Sequence, residues 1–518
     1  MSTRYLIFYL FLLSLSSATT SCSTVDQSGD IMIITNGSVI DGSGEDRFDG
    51  DLLIRNGVIE QIGNIEAERY ENATVIDAAG RVVAPGFIDL HSHGNPLDTP
   101  EFHNFLSMGV TTISLGQDGR SVAVEDLGDW MNSVDEVGTG TNILHFKGHG
   151  TLRQLTDAPQ DPNLPESNLN EMVDLLRSSM DAGSFGMTTG LEYQFGRYTS
   201  MDELTALAEV VAEYDGVVMS HVRNEDDDQI EASIRELIEQ GEKSGAKVHV
   251  SHIKIVYGNE PSRADDVLQL MKEARERGVN VTADVYPYAA SFTGIGIVFP
   301  DWATEGDYDQ IVEERRDELA DYLRNRVNMR NGPEATLFGT APWAGMTLAE
   351  VAEELDKPFE DVLIEDIGPR GASAAYFVMN ENVMKRFLQN PYVMVSSDGS
   401  PTMRHPRGYG SFAKIIHNYV VEEELLPLEE AIHKMSGQSA ELLGLNDPEK
   451  VETPRGMIKE GFAADIVIFE SENVRDTADF ENPHQLAEGF DWVLVNGVAV
   501  IENGERNENL PAGVIRRR

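Results

Sequence analysis

Val82-Val83-Ala84-Pro85-Gly86-Phe87-Ile88-Asp89-Leu90-His91-Ser92-His93-Gly94 is an apolar run that ends on two histidines one residue apart. In an extended strand, side chains at i and i+2 share a face, so His91 and His93 can turn toward the same metal ion. In a chain with 12 histidines, one H-x-H pair is weak evidence by itself. Three later segments strengthen it: residues 216–221, ending in His221; residues 246–252, ending in His252; and residues 392–399, containing Asp398. Each is a short β-branched or apolar run that leads to an ionisable residue. A parallel barrel presents its chemistry in this way, at the carboxyl ends of its strands.

Working outward, strand and helix patterns alternate, which indicates parallel β/α units and an α/β fold class. Eight runs read as strands: the run into His91, residues 110–115, 142–146 and 184–189, the runs into His221 and His252, residues 279–286, and the run into Asp398. Eight is the number that closes a (β/α)8 TIM barrel. Helical patterns lie between them, for example over 201–214 and over 226–241, the latter stopped by glycine. The separation of the seventh and eighth runs exceeds what one helix needs, so residues 291–380 are expected to form an insertion or lid over the site. Short strands punctuated by Asn-Gly and other glycine turns occur over 31–37, 51–59 and 74–77, and again over 464–469 and 492–500. Neither group can build a core alone. The expectation is a small β-sandwich made from residues 31–84 and 446–518, with the barrel, residues 85–445, inserted between them.

The 518 residues carry 88 Asp and Glu against 40 Lys and Arg, a formal charge of −48, which opposes binding to nucleic acid or anionic lipid. The acidity reads as a solvated surface, suited to a salty medium. Residues 5–15 form an apolar stretch after Arg4, too short to span a bilayer and of the length of a signal-peptide core. Cys22 is the only cysteine, so no intramolecular disulfide forms. Its place after Thr19-Thr20-Ser21 resembles the lipidated cysteine of a bacterial lipoprotein signal, although Thr19 stands where leucine is usual. Residues 1–22 are therefore expected to export the protein, to the periplasm or as a membrane-anchored lipoprotein of the cell envelope. Residues 23–30 would be a linker, and a lipid on Cys22 would be the sole membrane contact.

The order of motifs resembles the metal-dependent amidohydrolase superfamily, and within it the N-acyl-D-amino-acid deacylase (D-aminoacylase) branch. The resemblance is carried by the run into His91-Ser92-His93, by Gly148-His149-Gly150-Thr151-Leu152-Arg153, Thr189-Gly190-Leu191-Glu192-Tyr193 and Ser251-His252-Ile253-Lys254, and by Asp284-Val285-Tyr286-Pro287-Tyr288, Ser397-Asp398-Gly399, His405-Pro406-Arg407 and the closing residues 456–467. The H-x-H block marks the superfamily and the others narrow it to the branch. One departure stands out: Gly116-Gln117-Asp118-Gly119 occupies a place where many members read Gly-Asn-Cys-Gly. A carboxylate can replace a thiolate on zinc, as a harder ligand. The alternative for Asp118 is an ordinary turn aspartate.

The resemblance implies bound zinc, one ion tight and a second weaker site, and hydrolysis of small-molecule N-acyl-D-amino acids. His221, His252 and Asp118 would hold the tight ion, with His91, His93 and Asp398 around the neighbouring site. Asp398 would act as general base and then acid, taking the proton of the attacking water and returning it to the leaving amine. Glu192 is a candidate bridging carboxylate. The substrate α-carboxylate calls for a fixed cation, for which the planar guanidinium of Arg407 is the first choice. Lys254, Tyr193, Ser291 and one of Tyr286 or Tyr288 are implied as further substrate contacts. His149 is expected to order a loop, and Lys147 gives no argument for carbamylation. His249 has the opposite strand parity to His252 and is expected to face the helices, where its loss should leave catalysis intact.

Two other readings stay open. One is a cyclic-amide or isopeptide hydrolase of the same superfamily, dihydroorotase-like or hydantoinase-like, although the Gly-His-Gly-Thr-Leu-Arg block weighs against it. The other is a non-catalytic surface lipoprotein on the same barrel. The joint presence of His91, His93, His221, His252 and Asp398 weighs against that.

Overall fold

The computed structural model describes residues 29–518. The expected export signal, Cys22 and all but the last two residues of the expected linker lie outside the described residues. Among the described residues no helix is long and apolar enough to cross a membrane.

Eight parallel staves form the centre. In chain order they are Phe87–Asp89, Val110–Leu115, Asn142–His145 with its continuation Lys147–Gly148, Gly186–Gly190, Val217–His221, Lys247–Val250, Val281–Val285 and Val393–Val395. Parallel ladders join the first stave to the second and third, and the third through to the eighth. A parallel bridge between Ser92 and Gly399 completes the ring, with Asp398 N donating to His91 O at 2.8 Å and His93 N to Gly399 O at 2.7 Å. Both faces of each stave are covered, which is why these segments read as near-continuous apolar runs. Val218, Val248, Val250 and Val281 point outward into the core shared with the helices. Ile88, Leu144, Val217, Met219 and Met394 fill the interior toward the amino-terminal ends. That plug closes one end of the barrel and leaves the other for chemistry.

The two chain ends build one nine-stranded sheet. Val82–Pro85 is its hinge, running parallel to Ile31–Val39 and antiparallel to Ile466–Phe469. An antiparallel bridge between Val58 and Ala463 brings the far edge back, so the sheet folds around a small core that includes Ile34, Leu52, Val83, Ile468 and Leu494. The run into His91, expected as one strand, is therefore two. Val82–Pro85 belongs to the end sheet and Phe87–Asp89 to the barrel, with the break at Gly86, where a Cβ would overlap the Thr111 side chain.

Between the seventh and eighth staves a compact insertion has its own sheet, in which Ser373–Tyr376 lies between Ser291–Gly294 and Thr336–Phe338. The helices Tyr308–Met329 and Leu348–Leu355 pack on a separate apolar cluster around Leu323, Phe338 and Val351. The helix expected to stop at Gly241 instead runs over Ile230–Ser244 and ends at Gly245, in the left-handed region with φ 76°. Gly241 serves packing: a Cβ there would press on Val248 and Val279 at 3.1 Å.

Candidate metal centre and active site

The carboxyl ends of the staves converge on one cluster of histidines and carboxylates. His91 and His93 follow the first stave, Asp118 the second, Glu192 the fourth, His252 the sixth and Asp398 the eighth, while His221 is the last residue of the fifth. Asp118, His252 and Asp398 have positive φ, at 54°, 39° and 48°. A non-glycine residue held in that region costs about 1–3 kcal/mol. Here each turn bends a side chain back over the barrel axis.

Asp118 lies at the middle of the cluster. Its Oδ1 is 3.2 Å from His252 Nε2, 3.3 Å from His91 Nε2 and 3.6 Å from His221 Nδ1, and its Oδ2 is 3.5 Å from His93 Nε2. His93 Nε2 is also 3.2 Å from Asp398 Oδ1. His221 Nδ1 and His252 Nε2 approach to 3.0 Å, while His221 Nε2 turns to Glu192 Oε2, also at 3.0 Å. Three donor groups result: His91, His93, Asp118 and Asp398; Asp118, His221 and His252; and Glu192, His221 and Glu225. Glu192 thus meets His221 on the side away from Asp118.

These residues fit a metal ion. Both ring nitrogens of His91 are buried without a hydrogen-bond partner among the described residues. Neighbouring ligand atoms around a tetrahedral zinc sit about 3.3 Å apart for bonds of about 2.0–2.1 Å, close to the separations seen here. Imidazole and carboxylate donors suit zinc and related divalent ions.

A second layer holds these side chains in place. His252 Nδ1 lies 2.7 Å from Lys254 Nζ, which donates to Glu225 Oε1 at 2.6 Å. The Asp284 carboxylate accepts from the His252 backbone N–H at 2.9 Å and from the Ser396 hydroxyl, and its other oxygen lies 2.7 Å from His249 Nε2. His249 is fully buried on the inner face of its stave, not against the helices as expected. The stave ends at Val250, and the left-handed turn at His252 breaks the alternation that the expectation extrapolated. Asp89 plays a comparable part below His91, accepting from its backbone N–H at 3.1 Å and from the Ser397 hydroxyl. Burial raises the Asp89 carboxyl to about 7 against those hydrogen bonds.

Burial also works to raise Asp398, but Arg407 NH1 at 2.9 Å and the imidazoles of His252 and His93 outweigh it and hold the carboxyl well below the usual range. For His221 burial works downward, and the carboxylates of Glu225, Asp118 and Glu192 overcome it, lifting the ring to about 10. An imidazole surrounded by that much negative charge sits where a cation is wanted.

The cluster opens into a cavity of about 830 Å³. Tyr193, Lys254, Tyr286, Ser291 and Arg407 line it. The Tyr193 ring packs on His221 at 4.6 Å, and the Arg407 guanidinium lies 4.7 Å above the Tyr286 ring. Tyr288 does not border the cavity. The chain turns after the seventh stave, with Tyr288 N donating to Tyr286 O, and buries Tyr288 edge-on to His405 at 5.7 Å beneath Lys414. His149 also lies outside the cluster, with Nε2 2.8 Å from Glu203, a carboxylate shared with Arg153. Glu225 was not anticipated from sequence. Its only signal there is its position four residues after His221, on the loop leaving the fifth stave.

The sequence matches the amidohydrolase family over residues 74–501. The chain belongs to the amidohydrolase family. Among curated relatives of this amidohydrolase, N-acyl-D-glutamate deacylase of Alcaligenes xylosoxydans xylosoxydans is 32% identical over 513 residues, 94% of this chain and 96% of the relative. Among solved structures, N-acyl-D-glutamate deacylase from Bordetella bronchiseptica, complexed with zinc and a phosphonate mimic of the tetrahedral intermediate, is similar with TM-score 0.80 and 30% identity, covering 94% of this chain and all of that one. A D-aminoacylase structure described by its binuclear metal centre is also similar, with TM-score 0.80 and 27% identity, covering 94% of this chain and 99% of that chain. As an amidohydrolase the chain is a hydrolase of carbon–nitrogen bonds, and its buried donor cluster is the place for the metal.

Proposed function

We propose that this amidohydrolase cleaves the amide bond of N-acyl-D-amino acids with bound zinc, releasing a carboxylate and a D-amino acid. One observation carries the reading: two donor groups that share Asp118 open onto the same cavity as the Asp398–Arg407 pair. The names of the relatives support the D-amino-acid class.

His221, His252 and Asp118 would hold the tight ion, and His91, His93 and Asp398 a weaker second one, with Asp118 able to serve both because its two oxygens face different imidazoles. When bound, zinc would lower the pKa of a water toward about 7 and polarise the scissile carbonyl. Asp398, kept ionised by Arg407, takes the proton of the attacking water and returns it to the leaving amine. Arg407, whose NH1 holds Asp398 and whose NH2 donates to Phe292 O at 3.4 Å, is the cation on this cavity for the substrate α-carboxylate, a planar fork suited to that group. Tyr286 braces the guanidinium, Tyr193 and Ser291 line the cavity as substrate contacts, and Lys254 holds the His252 ring in place. Glu192 orients His221 through its outer nitrogen. We further propose export through residues 1–22 with lipidation at Cys22, on the apolar stretch and the single cysteine.

Zinc-supplemented protein should hydrolyse N-acetyl-D-amino acids and leave their L enantiomers essentially untouched. Equal turnover of both hands would overturn the assignment. Labelled palmitate on the wild type and none on Cys22→Ser would be the outcome for a lipoprotein.

A further inference from the structure

The reaction centre uses only part of its cavity. Toward the insertion the lining is cationic: Arg120, Arg330, Arg370 and Arg404 all border it, and none has an ion-pair partner among the described residues. The cavity's other arginines are engaged, Arg197 with Asp301 and Glu305, and Arg407 with Asp398. Its acids are engaged too, Glu225 with Lys254 and Asp226 with Arg326, the remainder with the histidines.

Arg330 is the decisive residue. It is 4% exposed, its Nε has no hydrogen-bond partner among the described residues, and its guanidinium lies against the rings of Tyr376 at 4.9 Å and Tyr257 at 5.9 Å. Arg404 repeats the pattern, with Nε buried and unpartnered and one nitrogen donating to Glu481 O at 3.2 Å. Buried cations are ordinarily paired because desolvation is costly. In a chain with 88 acidic and 40 basic side chains, nearly any arginine could find a carboxylate. Arginines left without one on the lining of this cavity are placed for an anion that arrives from solution, and Arg330 is buried deeply enough to gain much from it.

We propose that this lining binds a second carboxylate of the substrate, so that the enzyme acts on dianionic N-acyl amino acids with Arg330 and Arg404 as specificity-determining residues. The inference rests on the deacylase reading above. The second carboxylate could sit on the amino-acid side chain or at the far end of the acyl group, and both present the same chemistry to a guanidinium.

Two substrate pairs separate these sources on the zinc-loaded enzyme: N-acetyl-D-glutamate against N-acetyl-D-glutamine, and N-succinyl-D-alanine against its terminal amide. In one pair the acid should exceed the amide in kcat/KM by about 100-fold or more, since polar groups built for a partner reject the analogue lacking it. Arg330→Met and Arg404→Met should each reduce that preference to below about tenfold while the amide's kcat/KM stays within about threefold of wild type. If Arg330→Met fails to fold by circular dichroism, the half-buried Arg404 carries the test. Acid and amide within threefold of each other in both pairs would overturn the inference and leave the deacylase reading standing. Equal losses on acid and amide in both variants would do the same. No turnover of any of the four compounds would remove both.

Discussion

Asp398 sits between two demands, since it faces His93 at 3.2 Å while Arg407 holds it ionised at 2.9 Å. Asp398→Asn keeps the shape and removes the base. General acid–base groups contribute about 10²–10⁴-fold, so kcat should fall by at least that order, with zinc at the tight site retained when measured by inductively coupled plasma analysis. An undiminished rate would place the proton transfer elsewhere. His249 makes the complementary case. Its Nε2 meets Asp284 and its Nδ1 lies 2.7 Å from Thr282 Oγ1, so it holds the carboxylate that fixes the His252 backbone. Outer-shell partners of ligands are worth about 10–100-fold in metal affinity or activity, and His249→Leu should lose zinc affinity by that factor. Unchanged affinity in a chelator competition would return His249 to a purely packing role. The parity argument that placed it outside was sound along the strand and failed only past Val250, where backbone sign changes are invisible in a residue string.

The loops leaving the second and fourth staves meet so closely that side chains are excluded. Gly119 has φ 74° and a Cβ there would stand 2.7 Å from Gly190 N, while a Cβ on Gly190 would overlap the Asp118 carbonyl. Gly190→Ala should therefore push the Asp118 turn away from the histidines. Zinc content and kcat should fall together while the far-ultraviolet spectrum stays that of the wild type. Normal zinc content in this variant would mean that Asp118 is not held by this contact, or does not bind metal. The staves themselves were legible because strands buried on both faces must be apolar throughout, and all eight fall within or beside the segments anticipated. The split at Gly86 was not, since two strands of different sheets run on in one apolar string. The donor residues were legible from their places at stave ends and from family likeness. The arginines lining the cavity toward the insertion were not, because Arg120, Arg330, Arg370 and Arg404 sit on separate segments whose meeting depends on the folded insertion.

Across the molecule as a whole the dominant electrostatic fact is an excess of 48 negative charges. Surface ion pairs such as Arg177–Glu213 and Arg277–Glu242 oppose it, but exposed pairs are worth about 0–1 kcal/mol each and are weakened by salt as well. The two effects pull in opposite directions when salt is added. Screening shortens the Debye length from about 30 Å at 0.01 M to about 3 Å at 1 M, which removes repulsion between carboxylates spread over the whole surface but touches only the few contacts that each ion pair represents. With at most 40 cations to set against 88 acids, repulsion is the larger sum. The unfolding midpoint of the zinc-loaded protein should therefore rise by several degrees between 10 mM and 1 M NaCl, most steeply in the lower part of that range. Sodium chloride is the right probe, because sulfate would add stabilisation by exclusion from apolar surface and blur the cause. A midpoint that stays flat or falls would mean that ion pairs, not self-repulsion, set the salt response of this acidic barrel.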